Sequence, residues 1–422
     1  MSGRRLRVVI LGINFAPEST GIGPYTTGLA TGLAARGHDV EVLTGYPHYP
    51  QWRVSDGYHG FRTHEVHDRV RVRRFRHPVP RRHSAIERAA MEFVFGLQLL
   101  STRWRRPDVV VCVSPPLLAT MLATTRVRLT PNRPALGLVV HDLYSRGVIE
   151  TGTMSGLPAR AVRTLESLTT RCADGVAVIH DGFATHLVDG LGVRRNRVRV
   201  IRNWTHVAPP DPAAAVAFRA ARGWAPDDIV VLHAGNMGAK QGLENVIAAA
   251  RLVGPATSRV RFVLLGDGHQ RTTLETAGAG VPALDFLPPV PESDFPAALG
   301  AADVLLVNER PGVAQMAVPS KLTSYFASGR PVLAATDPGG FTAGEIDESG
   351  AGVCIPAGRP DLLLREALRL GRDRELADRL GAAGRRYVAD RLSANVALDR
   401  YEWWVGELAA TRRARMPEEA PR

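Results

Sequence analysis

The sequence predicts an α/β protein made of two doubly wound parallel sheets. Three observations carry that expectation. Short unbroken runs of valine, leucine and isoleucine recur along the chain, the pattern of parallel strands buried on both faces. Helical segments alternate with them, and such repetition builds doubly wound sheets. The series runs twice, on either side of a Pro/Ala-rich stretch at Ala208 to Ala215, within 422 residues, a length for two or three domains.

In order, Arg7 to Ile13 reads as a strand and Pro24 to Arg36 as a helix closed by Gly37. Asp39 to Thr44, Val109 to Val113, Ala135 to Val140 and Gly175 to Ile179 are further strands. The second series has Ile229 to Ala234, Val260 to Leu265, Val304 to Val307 and Pro331 to Ala335, with a helix at Leu243 to Val253. The hinge falls near Arg202-Asn203-Trp204, giving domains over 1–205 and 206–390 and a C-terminal helix and tail over 391–422. That last helix, read over Asp399 to Arg415, carries Tyr401, Trp403, Trp404 and Leu408 and must dock on something.

Composition narrows the class. Hydrophobic residues make up 45% and charged ones 22%, an ordinary globular balance. Cys112, Cys172 and Cys354 are far apart in apolar surroundings, which argues against a disulfide framework or metal site and fits a reducing cytosol. The apolar stretch after the basic N-terminus is too short for a signal-peptide core or a spanning helix. The net charge of +12 makes nucleic acid, an anionic membrane surface and phosphorylated substrates candidate partners. No RNA-binding or helix-turn-helix signature supports nucleic acid, and aromatics do not interleave with the arginines as stacking platforms would.

The basic residues are 53 in number, and all but Lys240 and Lys321 are arginine. An ammonium is a compact point charge, suited to a phosphate in a glycine-lined turn. An arginine-rich bias that these two lysines merely escaped is the other reading. One lysine lies in Gly235-Asn236-Met237-Gly238-Ala239-Lys240-Gln241-Gly242, after a strand. The other lies in Pro319-Ser320-Lys321, before an apolar helix ended by Gly329, where Ser320 suits an N-cap and the amides could hold a diphosphate. In the first half, Gly21 and Gly23 sit between strand one and a helix start, an anion-binding turn or an ordinary βα turn. They lack the third glycine and the acidic residue of a dinucleotide fingerprint, which disfavours an NAD enzyme. His141-Asp142 directly follows a strand, where open parallel sheets bind ligands.

A third feature is basic. Arg69, Arg71, Arg73, Arg74, Arg76, Arg81 and Arg82 crowd together, followed by a helix over Ala85 to Arg106 with Phe93 and Phe95 in its apolar row. It reads as a helix lying in a membrane interface or as a core helix with a solvated basic edge.

Taken in order, these loops resemble the GT-B glycosyltransferases, and specifically family 4 of the retaining sugar-nucleotide transferases. The resemblance covers nearly the whole chain. Val200-Ile201-Arg202-Asn203-Trp204 is similar to the family's inter-domain linker. The Gly-Asn-x-Gly-x-x-Gln-Gly-Leu and Pro-Ser-Lys wording, with Tyr46 to Pro50, is similar to the colanic-acid and O-antigen branch. The resemblance implies two Rossmann-like domains facing across a cleft, acceptor-binding then donor-binding, with the C-terminal helix packing back on the first. It implies a nucleotide diphosphate sugar donor, UDP before GDP, no metal or other cofactor, and a saccharide or polyprenyl-linked acceptor. The location would be cytoplasmic or peripheral on the inner face of the plasma membrane. His141, Asp142 and Lys321 would be catalytic. Gly21, Gly23, Gly235, Asn236, Gly238, Lys240, Gln241, Ser320, Lys321 and Ser324 would bind donor. Tyr46, His48, Arg73, Arg74, Arg81, Arg82, Phe93 and Phe95 would face acceptor or membrane.

The sequence departs from the family in four places. Met316 and Ser324 stand where a pair of glutamates is usual, Asn236 replaces an arginine, Lys240-Gln241 replaces Glu-Lys, and Arg146 stands where this branch often has an acidic residue. Competing readings are a nucleotide-sugar epimerase or sugar-phosphate synthase of the same fold, and a non-catalytic basic protein binding membrane or nucleic acid.

Overall fold

The computed structural model describes residues 4–80, 84–145, 156–313 and 320–414. Arg81, Arg82, Arg146 and Met316 lie outside them. The chain divides into an N-terminal unit, Met1–Asn203 with Asn395–Arg422, and a C-terminal unit, Trp204–Ala394.

The N-terminal unit holds an eight-stranded sheet among the described residues. Its strands are β1 (Arg7–Leu11), β2 (Asp39–Gly45), β3 (Arg62–His67), β4 (Val70–Phe75), β5 (Val109–Ser114), β6 (Ala135–Val140), β7 (Gly175–Val178) and β8 (Val198–Val200), in the order β3-β4-β2-β1-β5-β6-β7-β8. All neighbours pair in parallel except β3 with β4. The middle strands β5 and β6 are buried throughout, which is why they read as unbroken aliphatic runs. Helix α1 (Gly23–Ala35) follows β1 with a proline in its first turn. Helices α2 (Ala85–Ser101) and α3 (Leu117–Leu129) flank β5, and α4 (Gly156–Cys172) precedes β7.

The arginine-rich segment is a strand. In β4 Val70 and Val72 are buried, while Arg71 and Arg73 reach the carboxylates of β2: Arg71 to Asp39 at 2.6 Å and Arg73 to Glu41 at 3.0 Å. Arg74 is 1% exposed; it pairs with Glu65 of β3 and lies over the rings of Phe15 and Tyr58. Arg73 and Arg74 therefore neutralise carboxylates inside the fold and are not free to face a membrane. Period-two alternation was present, but arginine on one phase of it looks like a charge run.

Helix α2 is also shorter than expected, ending at Ser101. Arg126 of α3 donates to the carbonyls of Leu99, Leu100 and Thr102, closing the helix end. Met91, Glu92, Phe95 and Leu99 face inward against α3, where a Cβ on Gly96 would come within 3.0 Å of the Ala119 backbone. Phe95 is thus a core residue. Ile86, Phe93 and Leu97 remain exposed.

The C-terminal helix, α9 (Ala394–Arg413), belongs to the N-terminal unit. Trp404 packs at Gly137 of β6 and Gly175 of β7, where a Cβ would lie 2.6 and 3.0 Å from its ring. Arg36 binds Asp399 and Glu402, and Arg199 binds Glu407. Tyr401, Trp404 and Leu408 are buried; Trp403 points outward.

Among the described residues the C-terminal unit has six parallel strands in the order β11-β10-β9-β12-β13-β14: β9 (Ile229–Ala234), β10 (Val260–Leu265), β11 (Leu284–Leu287), β12 (Val304–Asn308), β13 (Val332–Ala335) and β14 (Gly352–Ile355). Apolar clusters cover both faces. The site uses helices α5 (Glu244–Arg251), α6 (Lys321–Ser328) and α7 (Phe341–Ser349); α8 (Arg374–Arg391) packs behind α6.

Candidate active site

The carboxyl ends of β9, β10 and β12 meet in a set of tight turns, the place where open parallel sheets take ligands. Gly235, after β9, has φ +126°, and Gly266, after β10, has φ +138°, conformations that essentially only glycine adopts. The two turns touch: a Cβ on Gly266 would sit 2.0 Å from the Gly235 carbonyl oxygen. Met237 N–H donates to Asp267 O at 2.8 Å. The Gln241 side chain folds back to accept from Gly238 N–H at 3.0 Å. Asn308, the last residue of β12, donates to the carbonyls of Gln241 and Gly242 at 2.7 and 2.9 Å and accepts from Asn245 of α5 at 2.8 Å. The loop carrying Asn236 and Lys240 is held by its backbone, while those two side chains are exposed.

Lys321 is the first residue of α6. Its Nζ lies 3.2 Å from His233 Nε2 and 3.4 Å from Nδ1, and 3.7 Å from where a Cβ on Gly235 would be. Burial pulls its pKa down to about 7, opposed by the Glu309 carboxylate. Glu309 follows β12, accepts from the hydroxyls of Thr336 and Thr342, and is pushed above the usual carboxylate range by burial. Tyr325, one turn further along α6, accepts from Ala234 N–H at 2.8 Å, tying the helix to the end of β9. Ser320 occupies the N-cap position, but its hydroxyl makes no cap bond, because its backbone is already helical. Ser324 is buried within α6.

In the N-terminal unit the ends of β1, β2 and β6 carry a second cluster. The Glu18 carboxylate is buried and accepts from the backbone N–H of His48 and Tyr49 at 2.8 and 2.9 Å, and from Asn14 Nδ2 at 2.8 Å. It anchors the loop after β2, and the loop covers Gly21, where a Cβ would be 3.0 Å from the Tyr49 ring; Gly23 backs on the Glu18 carbonyl. Tyr46 and His48 were expected to face an acceptor. Instead both are buried, Tyr46 donating to His59 O at 2.7 Å and His48 contacting His77. Tyr49 and Trp52 of this loop are half-buried, and Arg88 of α2 lies over the Trp52 ring.

His141, just past β6, stacks on Tyr25 of α1 with centroids 5.6 Å apart. Burial lowers its pKa to about 4, so the imidazole is neutral at physiological pH. Its Nδ1 is buried with no hydrogen-bond partner among the described residues. Asp142 acts electrostatically on Tyr49. The segment is clamped from below: Glu166 of α4 accepts from Tyr144 and Ser145 N–H at 2.7 and 3.0 Å, and Glu92 of α2 accepts from the Tyr144 hydroxyl.

A glycosyl transferase 4-like domain matches residues 20–204, and a glycosyl transferases group 1 domain matches residues 217–387. The chain is 30% identical over 286 residues to a probable glycosyltransferase, WbjE, of Pseudomonas aeruginosa, covering 65% of this chain and 68% of that one. It is 29% identical over 390 residues to the putative colanic acid biosynthesis glycosyl transferase WcaI of Escherichia coli strain K12, covering 88% of this chain and 94% of that one. The chain belongs to the family 4 glycosyltransferases.

Solved structures agree on the GT-B fold. A sucrose-phosphate synthase from Thermosynechococcus elongatus superimposes with a TM-score of 0.73 at 18% identity, over 96% of this chain and all of that one (100%). Anabaena HepE in complex with UDP gives 0.72 at 14%, over 95% and 100%. In this glycosyltransferase the structure brings Gly235, Asn236, Gly238, Lys240, Gln241, Ser320, Lys321 and Ser324 to one end of the second sheet. Gly21, Gly23, His141 and Asp142 lie at the corresponding end of the first. Sequence reasoning passed over the groups that hold them: Glu18, Glu92, Glu166, His233, Asn308, Glu309 and Tyr325. Two carried a signal. His233 interrupts an otherwise aliphatic strand, and Glu309 directly follows one.

Proposed function

We propose that this glycosyltransferase moves a sugar from a nucleoside diphosphate donor, a UDP-sugar first, to a saccharide or polyprenyl-linked acceptor in polysaccharide biosynthesis, with retention at the anomeric carbon. The observation that carries the reading is the Lys321 side chain at the start of α6, held between the Gly235 turn and the buried His233 of β9. Breaking the bond from the anomeric carbon to the diphosphate oxygen leaves negative charge on the diphosphate. Lys321, the free hydroxyl of Ser320 and the first amides of α6 offset it, aided by the helix dipole. Lys240 reaches the same charge from the exposed rim. These groups supply the stabilisation that a metal supplies elsewhere, so the reading calls for no metal.

His141, neutral and with an unbonded buried Nδ1, contacts the donor sugar, and Asp142 orients it. The acceptor hydroxyl attacks the face from which the diphosphate departs, and its proton passes to the departing phosphate oxygen. HepE was solved with UDP and with UDP-glucose, and WcaI is named for colanic acid biosynthesis; both support a nucleotide-sugar donor and a polysaccharide product. The test is donor hydrolysis across UDP- and GDP-sugars with chelator present. Release of UDP from at least one sugar is expected, and the absence of hydrolysis from every donor would overturn the reading.

Membrane contact is the second part of the proposal. Among the described residues no helix is long and apolar enough to cross a membrane. Helix α2 does expose Ile86, Phe93 and Leu97 beside Arg88, with Arg103, Arg105 and Arg106 also exposed just after it. Apolar residues flanked by cations suit an anionic interface. Salt-sensitive flotation with anionic vesicles is expected, and Ile86→Asp with Phe93→Asp should abolish it. Equal recovery on neutral and anionic vesicles would remove the idea.

A further inference from the structure

His233 borders Lys321, but the donor chemistry above gives it no role of its own. It is the penultimate residue of β9, fully buried, in a strand otherwise made of isoleucine, valine, leucine and alanine. A polar ring there is costly unless it is partnered. Burial, and then the Lys321 charge, drive its pKa well below the ordinary histidine value, so it is a neutral imidazole. Its partners are the backbone of Asn236, whose carbonyl lies 3.5 Å from Nε2, the backbone of Leu306, and Lys321. The Lys321 Nζ is almost equidistant from the two ring nitrogens, at 3.2 and 3.4 Å. In the ring plane, an equidistant atom would run into Cε1, so Nζ rests against the ring face.

The geometry points to His233 as a positioning residue that seats the Lys321 side chain at the Gly235 turn before the donor arrives, and to donor binding as a step that takes up a proton at Lys321. The inference rests on the nucleoside-diphosphate reading. Three groups bear on this lysine among the described residues: His233 from β9, the Glu309 carboxylate from the segment after β12, and Asp337, which acts on Glu309. With its pKa near 7, the side chain in the free protein is mostly amine at pH 8. A diphosphate beside it favours the ammonium, so the bound state holds more protons than the free state. Affinity then falls as pH rises above about 7, by at most about tenfold per pH unit.

Calorimetric titration of UDP at pH 8, in two buffers of different ionisation enthalpy, reads that proton directly. At this pH the terminal phosphate of UDP is already ionised. Uptake of close to one proton is expected for the wild type. Lys321→Arg, whose guanidinium keeps its charge, should show none. His233→Leu removes the ring at similar volume and should move the pH midpoint of UDP binding down by about one unit, weakening binding about tenfold at pH 8. His233→Phe keeps the ring face and should lose less. Zero proton uptake by the wild type, a result that needs no variant, overturns the inference, as does an unchanged midpoint in folded His233→Leu. Failure of UDP and GDP to bind at any pH is a different result and refutes the donor reading itself.

Discussion

Lys321→Ala is expected to lower the turnover of sugar transfer by about 100-fold, the cost of one charge-stabilising donor to a developing anion. The Nζ lies against both the His233 ring and the Gly235 turn. Lys240→Ala is the internal comparison. That side chain is exposed, and the backbone of its loop is held independently through its carbonyl and the Arg310 N–H at 2.8 Å. Its removal should cost no more than about tenfold, as for a solvated charge. Initial rates at saturating donor check both, with thermal unfolding to show that each variant is folded. Near-full activity in Lys321→Ala would sink the leaving-group role, and equal losses in the two variants would sink the ranking.

The parallel strands were legible because strands buried on both faces leave unbroken aliphatic runs. The β3–β4 hairpin was not. Its outward phase is arginine, and nothing local reveals that Asp39 and Glu41, some thirty positions earlier, neutralise it. Arg74 is the sharpest case, a charge buried against Glu65 and Phe15 that composition assigned to the surface. Helix α9 showed by its aromatics that it must dock. Its binding groove consists of glycines at 137 and 175, recognisable only once the fold brings them under Trp404. At the site, Lys321 stood out because lysine is scarce here. The residues that aim it, His233 and Glu309, act across strands that are neighbours in space and far apart in the chain, and spacing cannot report such pairs.

Gly266→Ala tests the other half of the donor site, the backbone. At φ +138° a Cβ costs about 1–3 kcal/mol in conformational strain alone. Here it would also lie 2.0 Å from the Gly235 oxygen and 2.9 Å from its carbonyl carbon, and backbone atoms cannot rotate aside as a flexible side chain can. The Gly235 turn must therefore shift. It is pinned by Leu265 O on one side and by the Tyr325 contact at Ala234 on the other, so the shift disturbs the seat of Lys321. A loss of at least about 3 kcal/mol is expected, together with UDP affinity lowered by tenfold or more. In thermal unfolding that corresponds to roughly 6–12 °C for a unit of this size. Gly37→Ala separates strain from collision: its φ is +92°, and nothing lies within 4 Å of the added Cβ. It should cost about 1–2 kcal/mol and leave UDP binding unchanged. If both variants lose stability alike and Gly266→Ala still binds UDP normally, the two glycine turns do not act as one rigid seat, and the diphosphate must be held elsewhere.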